Sequence, residues 1–134
     1  MSVIKNYKPS NIDQNLIIYE IVENNLNKLK IKWSEKKSLT IVLCAKGYPA
    51  NYIRDSEINN LSKILNNKDN QIFHAGTYEK NNKIYSNGGR VLNITSSSKS
   101  LVRARDKSLT NIDKINWSDG FFRKDIGWRV INNK

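Results

Sequence analysis

Cysteine is almost missing from this chain, and what little there is decides several questions at once. Cys44 is the only one, which excludes an intramolecular disulfide and any multi-cysteine metal site. It lies in the apolar run Leu39 to Ala45, where an inert buried thiol is expected, and a reducing cytosol fits that usage. Long hydrophobic runs are missing too. The apolar stretches are only a few residues long, too short for a bilayer-spanning helix, and the opening residues MSVIKNYKPS lack the apolar core of a signal peptide. The expectation is a soluble, cytoplasmic protein without a membrane partner. Neither G-x-G-x-x-G nor G-x-x-x-x-G-K occurs, so neither phosphate-cradling nucleotide motif is available. The sequence offers no convincing catalytic triad, and no repeat or low-complexity linker divides it.

What is present suffices for one domain. A chain of 134 residues buries roughly two thirds of its unfolded surface, enough for a core that needs no staple. The net charge of +11 raises nucleic acid or another polyanion as a partner. Two features weaken that reading: 17 of the 23 cations are lysines spread over the whole length, and 20 asparagines accompany them. Lys, Asn and Ile are over-produced by AT-rich coding sequences. The six arginines, at 54, 90, 103, 105, 123 and 129, are the more informative cations.

In chain order, Asn11 with Gln14 forms a capping box, and Ile12, Leu16, Tyr19, Val22, Leu26 and Leu29 fall at helical spacing. Ile17, Ile18 and Ile21 widen the apolar face beyond one stripe, as in a helix covered on two sides or one whose usual partner lies outside the chain. A lysine-rich connector with Trp33 follows. Ser38 to Ala45 reads as a buried strand ending at Lys46-Gly47-Tyr48-Pro49, where proline turns the chain. Ser56 is placed to cap a short helix with Ile58, Leu61, Ile64 and Leu65 on one side. Gln71 to Thr77 reads as a strand that, after a polar turn at Lys80 to Lys83, pairs with the run Lys83 to Ser86 as a hairpin. Serines 96 to 98 offer a cap for a helix running to Ile115, and Phe121 to Ile131 reads as a last strand. Helices and strands mixed in this way give an α+β class.

Ser86 to Thr95, SNGGRVLNIT, sets a cation directly after two glycines and before an alternating apolar run. Gly88 and Gly89 are able to adopt backbone angles closed to other residues, and Val91, Leu92 and Ile94 suit a strand. Arg90 is therefore expected at a turn-to-strand junction. Its five-donor fork matches phosphate or carboxylate, and side-chain-free glycines let an anion approach the backbone amides. The same residues also read as a plain type I′ hairpin at Asn87-Gly88 with a solvated arginine.

Four motifs in order carry a resemblance: Lys46-Gly47-Tyr48-Pro49 with Tyr52 following, Phe73-His74-Ala75-Gly76-Thr77, Gly88-Gly89-Arg90-Val91-Leu92, and Arg123-Lys124-Asp125-Ile126-Gly127-Trp128. Together they resemble the C-terminal domain of the phosphoribosylamine-glycine ligases (glycinamide ribonucleotide synthetases) of the ATP-grasp family. The resemblance covers Leu39 to Val130, and Asn11 to Trp33 resembles the helix leading out of the ATP-grasp region. It implies a barrel-sandwich-like domain with a small mixed or antiparallel sheet and two or three helices. It also implies a division into a lead-in over 1–37 and a substrate-binding domain over 38–134.

The implied reaction is the second step of purine biosynthesis. ATP activates the carboxylate of glycine as an acyl phosphate, and the amine of 5-phosphoribosylamine displaces it. Family members are about three times longer, and their nucleotide-binding lobes and magnesium-holding Glu and Asn lie upstream of everything here. The resemblance thus assigns ATP and Mg2+ to the complete enzyme, bound outside this chain, and implies that the isolated chain is inactive without an ATP-grasp part. Phosphoribosylamine and glycine are the implied substrates, with no nucleic acid and no membrane as partner. Asp55 stands where the family has glycine after Tyr-x-x.

Arg90 is the implied contact for the 5-phosphate or the glycine carboxylate, with Gly88 and Gly89 bringing the backbone close. Arg123 and Lys124 come next, as adjacent strand cations facing opposite sides, with Asp125 able to pair with either. His74 is assigned to binding and not to catalysis. Lys46 and Tyr48 border the same cleft or simply terminate a strand. No catalytic residue and no metal ligand is assigned. Two rivals stay open: a small basic nucleic-acid-binding module using Trp33, Tyr48, Tyr52, Trp117 and Trp128, and a remnant that folds without activity.

Overall fold

The structure is a computed structural model that describes residues 14–30, 33–64 and 66–132. Helix α1 spans Gln14–Val22 and is followed by a 3₁₀ turn at Leu26–Lys28. The helical spacing reached to Leu29, but Asn24 takes a left-handed φ of 53° that ends the helix early. The proposed capping residue Asn11, with Ile12, lies outside the described residues.

Strand β1, Lys37–Ala45, is the centre of the fold. Its alternation drives Leu39, Ile41, Leu43 and Ala45 into the core and leaves Thr40, Val42 and Cys44 partly exposed on the opposite face. Strand β2 is only Glu57–Ile58, so the short helix expected after Ser56 does not form. Asp55 and Asn60 both have positive φ, and the Ser56 hydroxyl donates to Asp119 Oδ2 at 2.7 Å instead of capping. Only a 3₁₀ turn, Leu61–Lys63, survives. Ile58 and Ile64 are buried all the same, so the apolar spacing marked core without marking helix. Leu65 lies outside the described residues.

Strand β3, Asn70–His74, is followed by β4, Thr77–Lys80, and β5, Lys83–Ser86. The expected hairpin between Gln71–Thr77 and Lys83–Ser86 is redistributed. The hairpin is β4 with β5, turning at Asn81 and Asn82, whose φ values of 52° and 59° meet the requirement of a type I′ turn. Strand β3 joins a different sheet, because β6, Arg90–Ser98, takes it as neighbour. Serines 96 to 98 are thus strand residues. Helix α2, Leu101–Ile112, is capped instead by Ser100, which accepts from the Arg103 amide at 3.3 Å, and it ends short of Ile115.

Strand β7 is only Gly120–Phe121, and helix α3 is Trp128–Asn132. The long terminal strand expected over Phe121 to Ile131 fails because another element claims its backbone. Arg105 on α2 donates from Nη2 to the Lys124 carbonyl at 2.5 Å, and Gly127 turns the chain with φ +80°.

Two antiparallel sheets result, β3-β6-β1-β7 and β2-β5-β4. Helix α2 covers the first, setting Ala104, Ser108 and Ile112 against Leu39, Ile41, Leu92 and Ile94. Each such aliphatic side chain contributes on the order of 2 kcal/mol by leaving water. Buried polar groups under α2 are paired: Ser96 Oγ donates to Asn70 Oδ1 at 3.0 Å, and Asn111 Nδ2 donates to the same oxygen at 3.3 Å. Register places Gln71, Phe73, Asn93 and Thr95 with Thr40, Val42 and Cys44 on the face turned away from α2, and all seven are at least partly exposed.

Candidate functional site

Three of the four motifs meet at one end of the larger sheet. Gly89 O accepts from the Ala45 amide at 2.9 Å, which fixes the glycine pair to the end of β1. Arg90 O accepts from the Gly76 amide at 3.1 Å, and Gly76 O accepts from the Asn87 amide at 2.8 Å. The segment after His74 is thereby laced to the segment before Arg90. The ring of Tyr48 lies directly over Gly89, where a Cβ would collide with it. The next residue, Pro49, follows a cis peptide bond.

The glycines turn out to be required for space and not for angle. Neither Gly88 nor Gly89 has positive φ, and β5 and β6 lie in different sheets, so there is no type I′ hairpin at Asn87-Gly88. The stretch is a crossover between sheets. A Cβ on Gly76 would stand 2.8 Å from Gly88 Cα and 2.9 Å from Arg90 O, so two motifs each carry glycine because their backbones pass almost in contact.

Arg90 begins β6 opposite Cys44, and Phe121 of β7 lies opposite Cys44 on its other side. Directly paired residues share a face, so Arg90, Cys44 and Phe121 form one row on the sheet face away from α2, about 10 Å from end to end. The register shift between Leu43 and Cys44 accommodates one extra residue, Val91, which is fully buried. Arg90 is exposed, and among the described residues no carboxylate pairs with its guanidinium. Cys44 is half-buried, less enclosed than its apolar run suggested. Burial pushes its thiol up from the ordinary range, and the positive charge of Arg90 opposes the shift. Alkylation of Cys44 should therefore titrate above an ordinary thiol, and Arg90→Ala should move that midpoint higher still. The pH profile of iodoacetamide labelling measures it, and a midpoint unmoved by the substitution would separate the two side chains.

The remaining predicted residues are placed differently. His74 pairs with Leu92, which puts it on the α2 side of the sheet, opposite to Arg90, and its Nδ1 is 3.0 Å from the Thr77 hydroxyl. Arg123 is held by Asp125 in a two-pronged pair at 3.0 and 2.7 Å, which raises the arginine and lowers the carboxyl. Lys124 is exposed, with its carbonyl taken by Arg105. Lys46 is exposed at the end of β1, and its amide donates to Asp119 O at 2.8 Å. The structure thus gathers Lys46, Tyr48, Gly88, Gly89 and Arg90, keeps the His74 side chain on the other face, and commits Arg123 to a neighbour.

Sequence reasoning missed the frame behind these loops. Trp117 Nε1 donates to Ser56 Oγ at 3.1 Å, Ser56 donates to Asp119, and Asp119 O holds Lys46, which ties three loops together. Its only sequence signal was a polar Ser-Asp pair far apart in the chain. Trp117 is buried at 8% exposure, so the aromatic row invoked for nucleic acid loses a member. Among the described residues no group of three His, Cys, Asp or Glu is arranged to hold a metal ion, and no helix is long and apolar enough to cross a membrane.

The family model described as phosphoribosylglycinamide synthetase, C domain, matches residues 38–129. The chain belongs to that family. Among the relatives of this C domain, the phosphoribosylamine-glycine ligase of Fusobacterium nucleatum is 41% identical over 112 residues, which cover 83% of this chain and 26% of that protein. The phosphoribosylamine-glycine ligase of Brucella melitensis is 36% identical over 124 residues, covering 92% of this chain and 29% of that protein. A solved phosphoribosylamine-glycine ligase from Thermotoga maritima superposes with a TM-score of 0.62 at 26% identity, over 81% of this chain and 27% of that one. The chain therefore spans less than a third of the length of these relatives. Its small α+β architecture, antiparallel sheets with three helices, matches the C domain of this structural relative.

Proposed function

We propose that this C domain supplies part of the substrate site of a phosphoribosylamine-glycine ligase, in a reaction that joins glycine to 5-phosphoribosylamine at the expense of ATP. Within it, residues 38–134 act as the substrate-binding unit. Arg90 receives an anionic group, the 5-phosphate or the glycine carboxylate. The observation that carries this reading is a guanidinium without a carboxylate partner among the described residues, at the meeting point of three family motifs. Its backbone is fixed on both sides, so little order has to be imposed when an anion arrives.

The chemistry builds charge on phosphoryl oxygens and needs cations and positioned amides more than an acid-base pair. Arg90 suits that task, while Lys46 and the edge of Tyr48 border the same end of the sheet. Arg123 is less suited because Asp125 already neutralises it. His74 acts at the margin at most, since its ring engages Thr77. ATP brings the activating phosphoryl group, and this reading assigns both ATP and Mg2+ to the part of the ligase outside this chain.

The test is a chimera in which this chain replaces the matching part of the Fusobacterium nucleatum ligase. ADP release that requires both glycine and phosphoribosylamine is the expected result. A folded chimera that binds ATP and releases no ADP with both substrates present would overturn the reading.

A further inference from the structure

Arg90, Cys44 and Phe121 stand side by side on three neighbouring strands, β6, β1 and β7, and share the sheet face away from α2. Arg90 is exposed, Cys44 is half-buried and Phe121 is 40% exposed. The aromatic ring is presented outward on a backbone held from both sides. Gly120, just before it, pairs with Ala45, and the ring of buried Trp117 fills the space where a Gly120 Cβ would stand. Phe122, just after it, packs against the core.

A guanidinium grips a phosphate as well as a carboxylate, so Arg90 alone does not tell the two substrates apart. Its neighbours do. Glycine carries an ammonium two bonds from its carboxyl carbon, and with the carboxylate on Arg90 that second charge needs an acid close by. The row has none. Cys44, its thiol pushed up by burial, is neutral, and Val42 and Asn93, the next residues on this face, are uncharged. Asp119, two residues before Phe121, is engaged by Ser56 at 2.7 Å, and Asp125, four residues after it, by Arg123 at 2.7 Å. Lys46, which follows β1, adds a further cation.

The other substrate fits this order of groups. In 5-phosphoribosylamine the phosphate lies at one end, an uncharged sugar follows, and the amine that attacks lies beyond the sugar. Strands stand about 5 Å apart, so a phosphate on Arg90 carries the sugar across Cys44 to Phe121. The C–H face of a sugar is the apolar, faintly positive surface that the negative face of an aromatic ring attracts. We infer that Arg90 takes the 5-phosphate and not the glycine carboxylate, and that Phe121 is the stacking floor for the ribose, with Cys44 beneath the sugar between them. This rests on the proposed function for the identity of the substrates and adds which of the two this domain selects. The amine then emerges beyond Phe121, free to meet the acyl phosphate.

Cys44 is the only cysteine of the 134-residue chain, so its alkylation reports on the middle of the row. Ribose 5-phosphate, which lacks the reactive amine, is the probe. It should slow iodoacetamide labelling by a factor of one plus its concentration over Kd, at least about fivefold near saturation. Arg90→Ala and Phe121→Ala should each remove that protection. Protection by glycine, or by inorganic phosphate as strongly as by ribose 5-phosphate, overturns the inference. Absence of protection overturns it as well, because the row is complete within this chain. In the Fusobacterium chimera, Phe121→Ala should raise the KM for phosphoribosylamine about tenfold and leave those for glycine and ATP within about twofold. Phe121→Tyr keeps the ring and should recover most of that loss. Phe121→Leu keeps apolar bulk where folding requires it and should still raise the same KM by about threefold or more. A larger effect on the glycine KM, or none on either, overturns the inference. An active chimera whose phosphoribosylamine KM ignores these substitutions keeps the proposed function and removes the stacking floor. A folded chimera that releases no ADP, with Cys44 still shielded by ribose 5-phosphate in the isolated chain, does the reverse.

Discussion

Replacing Arg90 by alanine in the active chimera should raise the KM for the substrate whose anion it holds by about 10- to 100-fold while leaving the KM for ATP within about twofold. The magnitude follows from a charge-assisted hydrogen bond of roughly 1.5–3 kcal/mol, at about 1.4 kcal/mol per tenfold. The structure makes the substitution clean. Arg90 contributes to the fold through its backbone, accepting from Gly76 at 3.1 Å and pairing with Cys44, and alanine keeps both. Its exposed side chain fills no core position. Lysine at the same place should recover only part of the loss, because it restores charge without the planar fork that grips two oxygens at once. Arg123→Ala serves as the contrast: it removes a cation already spoken for by Asp125, so its effect on either KM should stay within about threefold. If Arg90→Ala leaves both substrate KM values where they were, Arg90 is not in the site. If Arg123→Ala has the larger effect, the Asp125 pair opens when substrate binds and the ranking of the two arginines reverses.

How much of this was legible without coordinates depends on the range of the forces involved. Strand β1 was plain because its signal is local: aliphatic and β-branched residues run almost unbroken from Leu39 to Ala45, and in the fold every second one is buried. Helix α2 was also visible, since Leu101, Arg105, Ser108 and Ile112 fall at helical spacing with Ala104 beside them, although its cap moved from serines 96–98 to Ser100. Where the reading failed, a distant partner had decided the outcome. Ser56 looks like a cap until Asp119 and Trp117 arrive to use its hydroxyl. Phe121 to Ile131 looks like a strand until Arg105, on another element, takes the Lys124 carbonyl. The Asn87-Gly88 pair has the composition of a hairpin turn, while the turn itself formed at Asn81-Asn82, where two asparagines tolerate left-handed angles. In the candidate site, the motif order pointed to Arg90, Gly88, Gly89, Lys46 and Tyr48 together with His74, Arg123 and Lys124, and the structure sets the last three apart from the others. That His74 and Arg90 sit on opposite faces depends on strand register, which a motif does not carry.

The largest loss of stability is expected from a single methyl group at Gly76. Alanine there would bring its Cβ to 2.8 Å from Gly88 Cα and 2.9 Å from Arg90 O, and both are main-chain atoms. Neither can swing aside as a side chain does. The Gly76 amide and carbonyl are each hydrogen-bonded, to Arg90 O and from the Asn87 amide, so moving the two segments apart sacrifices those bonds as well. Overpacking of about 1–3 kcal/mol plus roughly 1 kcal/mol for a weakened bond gives a total near 3 kcal/mol. For a domain of this size that lowers the melting temperature by about 10 °C. Gly88→Ala approaches the same gap from the other side, with one contact at 3.1 Å and the next at 3.6 Å, and should cost only about a third as much. Gly89→Ala meets a ring and not a backbone, so Tyr48→Ala in the same chain should rescue it while doing nothing for Gly76→Ala. Thermal melts of the three single variants and the two double variants separate the cases. A Gly76→Ala chain that melts with the parent would mean the two backbones are not in contact, and the frame that holds Arg90 at this end of the sheet would have to be built from something else.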